Sequence, residues 1–385
     1  MTSSDAPGTQ NQPRELDLPE GVPHLRAFYL YLTACCNLRC RHCWVSPVHE
    51  DETLKPDLYI DPEALKEAVR EGKKLGLSSA KLTGGEPTLH PYFREVVTHL
   101  TEEGLSLNME TNGTLITPDL ARFLREESNV SFISVSIDSP DPAGHDRFRG
   151  VKGAFRRALA GLDDLVEAGY DNCQVIMAVH NENRHQMAEL VELAAEHGAG
   201  SVKFNPVTPT GRGIDMHEKG EALGFLEQLE MADYINNGLR PNSRIPVIRP
   251  MPPALTPVDE LRRMNGRCGD CGVTGILGFV GNGDIALCGI GQTVPELIYG
   301  KLGVDSIRDI WLQNPVIQGL RRDLEDVEGY PGICGSCIHA KSCRTGCVAN
   351  NYVQNGRLVS PQWLCQEAVD AGIFPKTRMK SFPVE

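Results

Sequence analysis

The chain has 385 residues, enough for two or three domains with a substantial core, and its apolar and charged fractions of 41% and 23% are those of a soluble globular protein. Its net charge of −13 comes without any basic cluster, which argues against nucleic acid or an anionic membrane as partner. No apolar run approaches the roughly 18 residues of a transmembrane helix. The N-terminal stretch MTSSDAPGTQNQPRELDLPEGVP lacks the apolar core of a secretory signal, so a cytoplasmic location is expected.

In chain order, residues 1–24 are Pro-rich, polar and acidic and read as a flexible tail. AFYLYLT (27–33) reads as a strand, and DPEALKEAVREGKKLG (61–76) as a helix. That helix has Asp61 as N-cap, Pro62 at its first position and Leu65, Ala68, Val69 and Leu75 on one face. The alternation then repeats. AKLT precedes PYFREVVTHLTEEG, and LSLNMET precedes TPDLARFLREE. VSFISVSID precedes a helix over about 152–168 with Phe155, Leu159, Leu162 and Val166 as its stripe. CQVIMAVH precedes RHQMAELVELAAEHG, and SVKFNP precedes a last helix around 219–236. Six βα units predict an α/β fold of parallel strands with helices outside, fewer than the eight that close a barrel, hence an open partial (β/α)6 barrel over 25–235. In such folds the chemistry sits at the C-terminal ends of the strands. A Pro-rich connector is expected at 236–265. Beyond it lies a small α+β region at 266–367 with short strands (GILGFV, DIALCGI), many glycines and eight cysteines, and a tail over 368–385.

The cysteines fall in two groups. In a reducing compartment thirteen cysteines are expected as metal ligands or catalytic groups rather than disulfides. Four lie at 35–43, one stands alone at 173, and eight fall between 268 and 365. A region so poor in apolar periodicity as the C-terminal third needs another source of stability, which metal centres would supply. In LTACCNLRCRHCW (32–44), Cys36, Cys40 and Cys43 have the spacing C-x3-C-x2-C. Three thiolates on one tight loop can hold three irons of a four-iron cluster and leave the fourth open to a small chelating molecule. Cys35 and Cys173 read as structural, small buried residues.

This loop resembles that of the radical S-adenosylmethionine (SAM) enzymes. The resemblance implies that the open iron binds the amino and carboxylate groups of SAM, whose reductive cleavage gives a 5′-deoxyadenosyl radical. LTGGEPTLHP (82–91), after the second strand, resembles the family segment that holds the methionyl amine, which implicates Gly84, Gly85 and Glu86. By the same resemblance Asn112 and Ser136 are candidates for the ribose hydroxyls, though turn-forming polar residues would look alike. Arg149 in GHDRFRG is a candidate for the SAM carboxylate, or a plain surface arginine, and His42 holds the position near the adenine.

The C-terminal cysteine order resembles the SPASM extension, which carries two auxiliary four-iron clusters. The resemblance assigns Cys268, Cys271, Cys288 and Cys347 to one cluster and Cys334, Cys337, Cys343 and Cys365 to the other. Taken alone, two C-x2-C pairs are also what zinc ribbons use. With three [4Fe-4S] clusters and SAM as cofactors, the expected activity is an oxidative one in which auxiliary clusters accept the substrate's electron. Full cysteine ligation of both auxiliary clusters favours electron transfer over substrate binding there. Gly289 follows Cys288 where sulfatase-maturing members carry an aspartate base, which argues against that reaction.

Three functions remain open. One is crosslinking or related maturation of a ribosomal precursor peptide, with a separate leader-recognition protein as possible partner because only about 35 residues precede Cys36. KFNPVTPTGRG (203–213) leans the same way. The second is oxidation of a small molecule or tetrapyrrole side chain, and the third a non-catalytic iron–sulfur or zinc scaffold. An electron donor such as flavodoxin or ferredoxin is expected for either enzyme.

Overall fold

The computed structural model describes residues 16, 18–49, 55–263 and 272–380. Helix α1 (Pro62–Lys74) begins where its sequence dictates: the Asp61 carboxylate accepts the Ala64 N–H, and Pro62, with no N–H to lose, takes the first turn. Its buried stripe is Leu65, Ala68 and Val69, packed on β1 (Ala27–Tyr31) and β2 (Ser79–Thr83). The alternation continues through α2 (Phe93–Glu102), β3 (Ser106–Thr111), α3 (Pro118–Glu126) and β4 (Val130–Ser136). It is interrupted by α4 (Pro142–Arg149), then resumes with α5 (Ala154–Glu167), β5 (Gln174–Val179), α6 (Met187–Glu196) and β6 (Ser201–Pro206).

The six strands run parallel in sequential order, and the sheet extends at both ends. Beyond β6 lies β7 (Val247–Ile248), also parallel. On the other side β8 (Ile276–Phe279) pairs in parallel with β1, from Ala27↔Ile276 to Leu30↔Phe279, and leads by antiparallel pairing to β9 (Asp284–Ala286) and β10 (Ile298–Lys301). The C-terminal region is thus built onto the barrel sheet. Phe28 and Phe279 meet edge to face at 4.5 Å, and the buried Trp311 donates from Nε1 to the Pro23 carbonyl at 2.9 Å.

Side chains sort by face with period two. Phe28, Leu30, Ala80, Leu82, Leu107, Met109, Val202 and Phe204 join the helix-facing core. Tyr29, Lys81, Glu110 and Lys203 lie on the opposite, inner face, where Lys81 Nζ meets Glu110 Oε1 at 2.6 Å and stands over the Tyr29 ring at 5.4 Å. Parallel sheets are usually apolar on both faces. A charged inner face is a departure that points to a polar interior.

Several expectations need correction. The α5 stripe is rotated: Ala158, Gly161 and Leu165 are buried with Phe155 and Leu162, while Leu159 and Val166 are half-buried, because small residues let the helix sit closest to its neighbours. The helix expected around 219–236 begins late. Gly220 takes a left-handed conformation (φ 67°) just after a short helix α7 (Gly213–Glu218), so the expected helix starts only at α8 (Phe225–Asp233) and runs on in wider π-type turns to Leu239. The connector contains β7 and a short helix, Val258–Arg263. Residues 368–380 pack back onto the cysteine-rich region, where Ile338 N donates to Arg378 O and Lys380 N to Ser336 O. Among the described residues no helix is long and apolar enough to cross a membrane.

Candidate active site

The loop after β1 is gripped from several sides. Arg39 N and Arg41 N donate to the carbonyls of Arg149 and Phe148 at the end of α4, at 2.9 and 3.0 Å, and Arg212 N donates to Cys43 O at 3.0 Å. Gly85 lies so close that a Cβ on it would fall 1.8 Å from the Cys35 carbonyl oxygen, and one on Gly211 would fall 2.4 Å from the Trp44 carbonyl. The GGEP glycine expected to admit a ligand therefore admits the backbone of the cysteine loop itself.

Within this frame Cys36 and Cys40 are buried in one cluster with Leu38 and Ala154, and Cys43 packs against it. Each buried sulfur accepts from nearby donors: Cys36 from Leu38 N at 3.4 Å and Asn112 Nδ2 at 3.8 Å, Cys40 from Arg149 Nη1 at 3.6 Å. Burial pushes the Cys36 thiol far up, with Glu86 and the neighbouring thiols adding to it. Burial also raises Cys40, opposed by Arg149. Thiols so disfavoured as free anions are readily ionised by a metal centre that coordinates them. An all-sulfur donor set with donors already aimed at two of the sulfurs fits an iron–sulfur cluster. Among the described residues no three His, Cys, Asp or Glu side chains stand in ion-binding geometry, so the fit rests on donor chemistry and grouping.

The SAM-contact candidates are distributed unevenly around this loop. Glu86 is fully buried, and its carboxylate is consumed by Thr88 N and Oγ1, Thr111 Oγ1 at 2.7 Å and Asn112 N at 2.8 Å. It fastens the GGEP turn to the end of β3. Asn112 Nδ2 donates to Asn37 Oδ1 at 2.8 Å, inside the cysteine loop, and its Oδ1 accepts from Thr114. Ser136 ends β4, half-buried. Arg149 is buried, with Nε 2.5 Å from Asp138 Oδ2, off the hydrogen-bonding line and hence an ion pair. With Asp138 and Cys40 on it, Arg149 is committed internally. His42 is stacked on Phe148 (4.6 Å, 5°), which stacks on His180 at 4.3 Å, and burial holds His42 neutral with its pKa down at about 4.

Sequence reasoning missed Arg212. Nothing in TGRG distinguishes it, yet its main chain binds Cys43, and its buried Nε and Nη2 have no hydrogen-bond partner among the described residues.

In the C-terminal region Cys334, Cys337, Cys343 and Cys365 all line one internal cavity, with Ile333, Ala340 and Phe374 among its apolar walls. Burial raises Cys365, and Cys334, Cys343 and Cys337 add to it. The donor set again fits a metal centre. Cys288 is pushed up to about 12 by burial, with Cys347 contributing, so these two are neighbours. Their expected companions Cys268 and Cys271 lie outside the described residues. Cys173 sits in the main core and Cys35 is fully buried, as expected of structural residues.

A cleft of about 470 Å³ separates the barrel mouth from the cysteine-rich region. Its walls are the end of β6 (Pro206–Pro209), the connector (Ile248–Pro253), and Cys343, Cys347 and Trp363.

The chain is similar in sequence and fold to several known proteins. Residues 30–194 match the radical SAM superfamily. The chain is 29% identical over 346 residues to an AdoMet-dependent heme synthase of Methanosarcina barkeri, covering 87% of this chain and 94% of that protein. It is 27% identical over 375 residues to the mycofactocin maturase MftC of Mycolicibacterium smegmatis, covering 91% and 85%. Among solved structures, Streptococcus suis SuiB bound to S-adenosylmethionine superposes with a TM-score of 0.67 at 18% identity, over 90% of this chain and 78% of that one, a likeness of fold.

Proposed function

We propose that this chain is a radical SAM enzyme of the SPASM type and that it oxidatively modifies a peptide, forming a thioether or carbon–carbon crosslink or a related linkage in a precursor. Cys36, Cys40 and Cys43 would hold the SAM-binding cluster. Cys334, Cys337, Cys343 and Cys365 would hold one auxiliary cluster, and Cys288 and Cys347 with Cys268 and Cys271 a second. When bound, the first cluster and SAM supply a one-electron cleavage whose carbon radical abstracts a substrate hydrogen, and the auxiliary clusters supply an electron sink.

The chain's own residues position these groups. Arg149 and Asp138 orient the Cys40 sulfur, Glu86 and Asn112 fix the loop against β3, and Arg212 offers two donors to the methionyl carboxylate in the role the sequence assigned to Arg149. The polar inner face, with Tyr29, Lys81, Glu110 and Lys203, would receive the reacting part of the substrate.

The observation that carries the peptide reading is the cleft's relation to the sheet. Its floor includes Ile248, half of β7, the strand at the end of the ten-strand order. Because the Val247 carbonyl already accepts from Arg240 Nε, an extended peptide would lie along the cleft beside β7 rather than pair with it, on a path that leads past Cys343 and Cys347. The heme-synthase similarity supports a second reading, oxidation of a tetrapyrrole side chain. Anaerobically reconstituted enzyme with SAM and reductant is incubated with the short peptides encoded beside its gene, or with porphyrins, and followed by mass spectrometry. Peptide-dependent 5′-deoxyadenosine with loss of two hydrogens from the peptide supports the first reading, and porphyrin-dependent turnover alone replaces it with the second.

A further inference from the structure

The cleft contains a buried cation that the fold does not use up. Arg249 lines it and is 7% exposed. Its Nη2 donates to the Gln228 carbonyl at 2.7 Å, while Nε and Nη1, both shielded from solvent, have no hydrogen-bond partner among the described residues. The nearest carboxylate in the cleft wall, Glu260, is already taken, accepting from Arg240 Nη1 at 2.5 Å. Arg240 in turn donates from Nε to Val247 O at 2.9 Å, so that pair serves to fasten β7. Lys203 brings a second cation to the same cleft, its charge disfavoured by burial.

An unpaired buried guanidinium is costly, and burial lowers the Arg249 pKa to about 10. Buried donors left unsatisfied in a native structure call for an explanation, such as a functional role or a bound water or ion. In a chain of net charge −13, a pocket with two cations and its one carboxylate neutralised is a local reversal of sign. The open donors belong to a planar fork whose geometry matches a carboxylate.

We infer that Arg249 is the anchor for a substrate carboxylate in the cleft between β6, β7 and the cysteine-rich region, and that the enzyme selects substrates bearing an acidic side chain or a free C-terminal carboxylate at a fixed distance from the reacting carbon. The inference rests on the cleft being the substrate's seat. It deepens the peptide reading without depending on it, because a porphyrin propionate would use the same anchor.

The test uses the full-length reconstituted enzyme and two fluorescent probes, an acidic octapeptide and a porphyrin tetracarboxylate, each paired with its fully amidated counterpart. Binding is measured by anisotropy or by quenching of Trp363, which lines the cleft. At least one carboxylate probe is expected to bind wild type about tenfold tighter than its amide. That preference should vanish in Arg249→Gln and fall by most of its size in Arg249→Lys, which keeps the charge and loses the fork. Which probe is preferred reports separately on the substrate class. Absence of a carboxylate preference in wild type, or an undiminished preference in both variants, overturns the inference.

Discussion

The Arg149 guanidinium donates from Nη1 to the Cys40 sulfur at 3.6 Å, with its Nε paired to the buried Asp138 at 2.5 Å. A cation held against one sulfur of the loop has a different job from one that meets the co-substrate. Arg149→Met is therefore expected to shift the cluster's midpoint potential downward, since donors to sulfur raise it, with the KM for SAM nearly unchanged. Arg212→Met should do the reverse, raising that KM about tenfold or more through loss of charge-assisted bonds. Redox titration followed by EPR, set beside SAM saturation curves, separates the two. Asp138→Ala leaves Arg149 buried and unpaired and should cost about 3–5 kcal/mol in denaturant unfolding.

Stability should fall on mild acidification through His145. It is buried, its Nδ1 accepts the Asp138 N–H at 3.2 Å, and burial lowers its pKa to about 4. The unfolded chain, with an ordinary histidine pKa of about 6.5, binds more protons between those values. The contribution is thus fully present above pH 6.5 and is lost as pH falls toward 4. His145 alone accounts for about 3 kcal/mol of that loss, and His145→Gln should flatten this part of the unfolding free energy against pH.

Gly85→Ala tests whether the GGEP turn serves packing of the cysteine loop. A methyl group 1.8 Å from the Cys35 carbonyl cannot be accommodated without moving the main chain. The variant is expected to lose about 3 kcal/mol and to lose iron from the N-terminal loop while the C-terminal centres keep theirs. Full iron content with only a raised KM for SAM would return Gly85 to a purely ligand-facing role.

How much of this was legible in the sequence depends on whether the cause is local. Asp61 and Pro62 start α1 where expected because capping is decided within one turn. The C-x3-C-x2-C loop was readable because its spacing is local, whereas the grouping of Cys334, Cys337 and Cys343 with the distant Cys365, which line one cavity, was implied only by the resemblance to the SPASM extension. The rotation of α5 was hidden, since Ala158 and Gly161 are chosen for closeness and carry no strong apolar signal. Pairing of β1 with β8 joins residues some 250 positions apart, and no local pattern encodes a partner so distant. The commitment of Glu86 to Thr88, Thr111 and Asn112, and the open donors of Arg212 and Arg249, depend on three-dimensional neighbours.

The two groups of cysteines should be separable by mutation. Cys40→Ala is expected to abolish SAM cleavage and remove about four of roughly twelve irons per chain. Cys343→Ala, in the wall of the C-terminal cavity, should lower iron similarly and block product while leaving some unproductive 5′-deoxyadenosine formation. Iron quantitation and chromatography of the nucleoside product measure both.

The most direct test of the central claim is electron–nuclear double resonance of the reduced, oxygen-free protein with SAM labelled by nitrogen-15 at its amine. Hyperfine coupling of that nitrogen to a cluster is expected, lost in Cys40→Ala and retained in Cys343→Ala. Zinc in the N-terminal loop, or a cluster there with a fourth side-chain ligand and no coupling to the label, would contradict it.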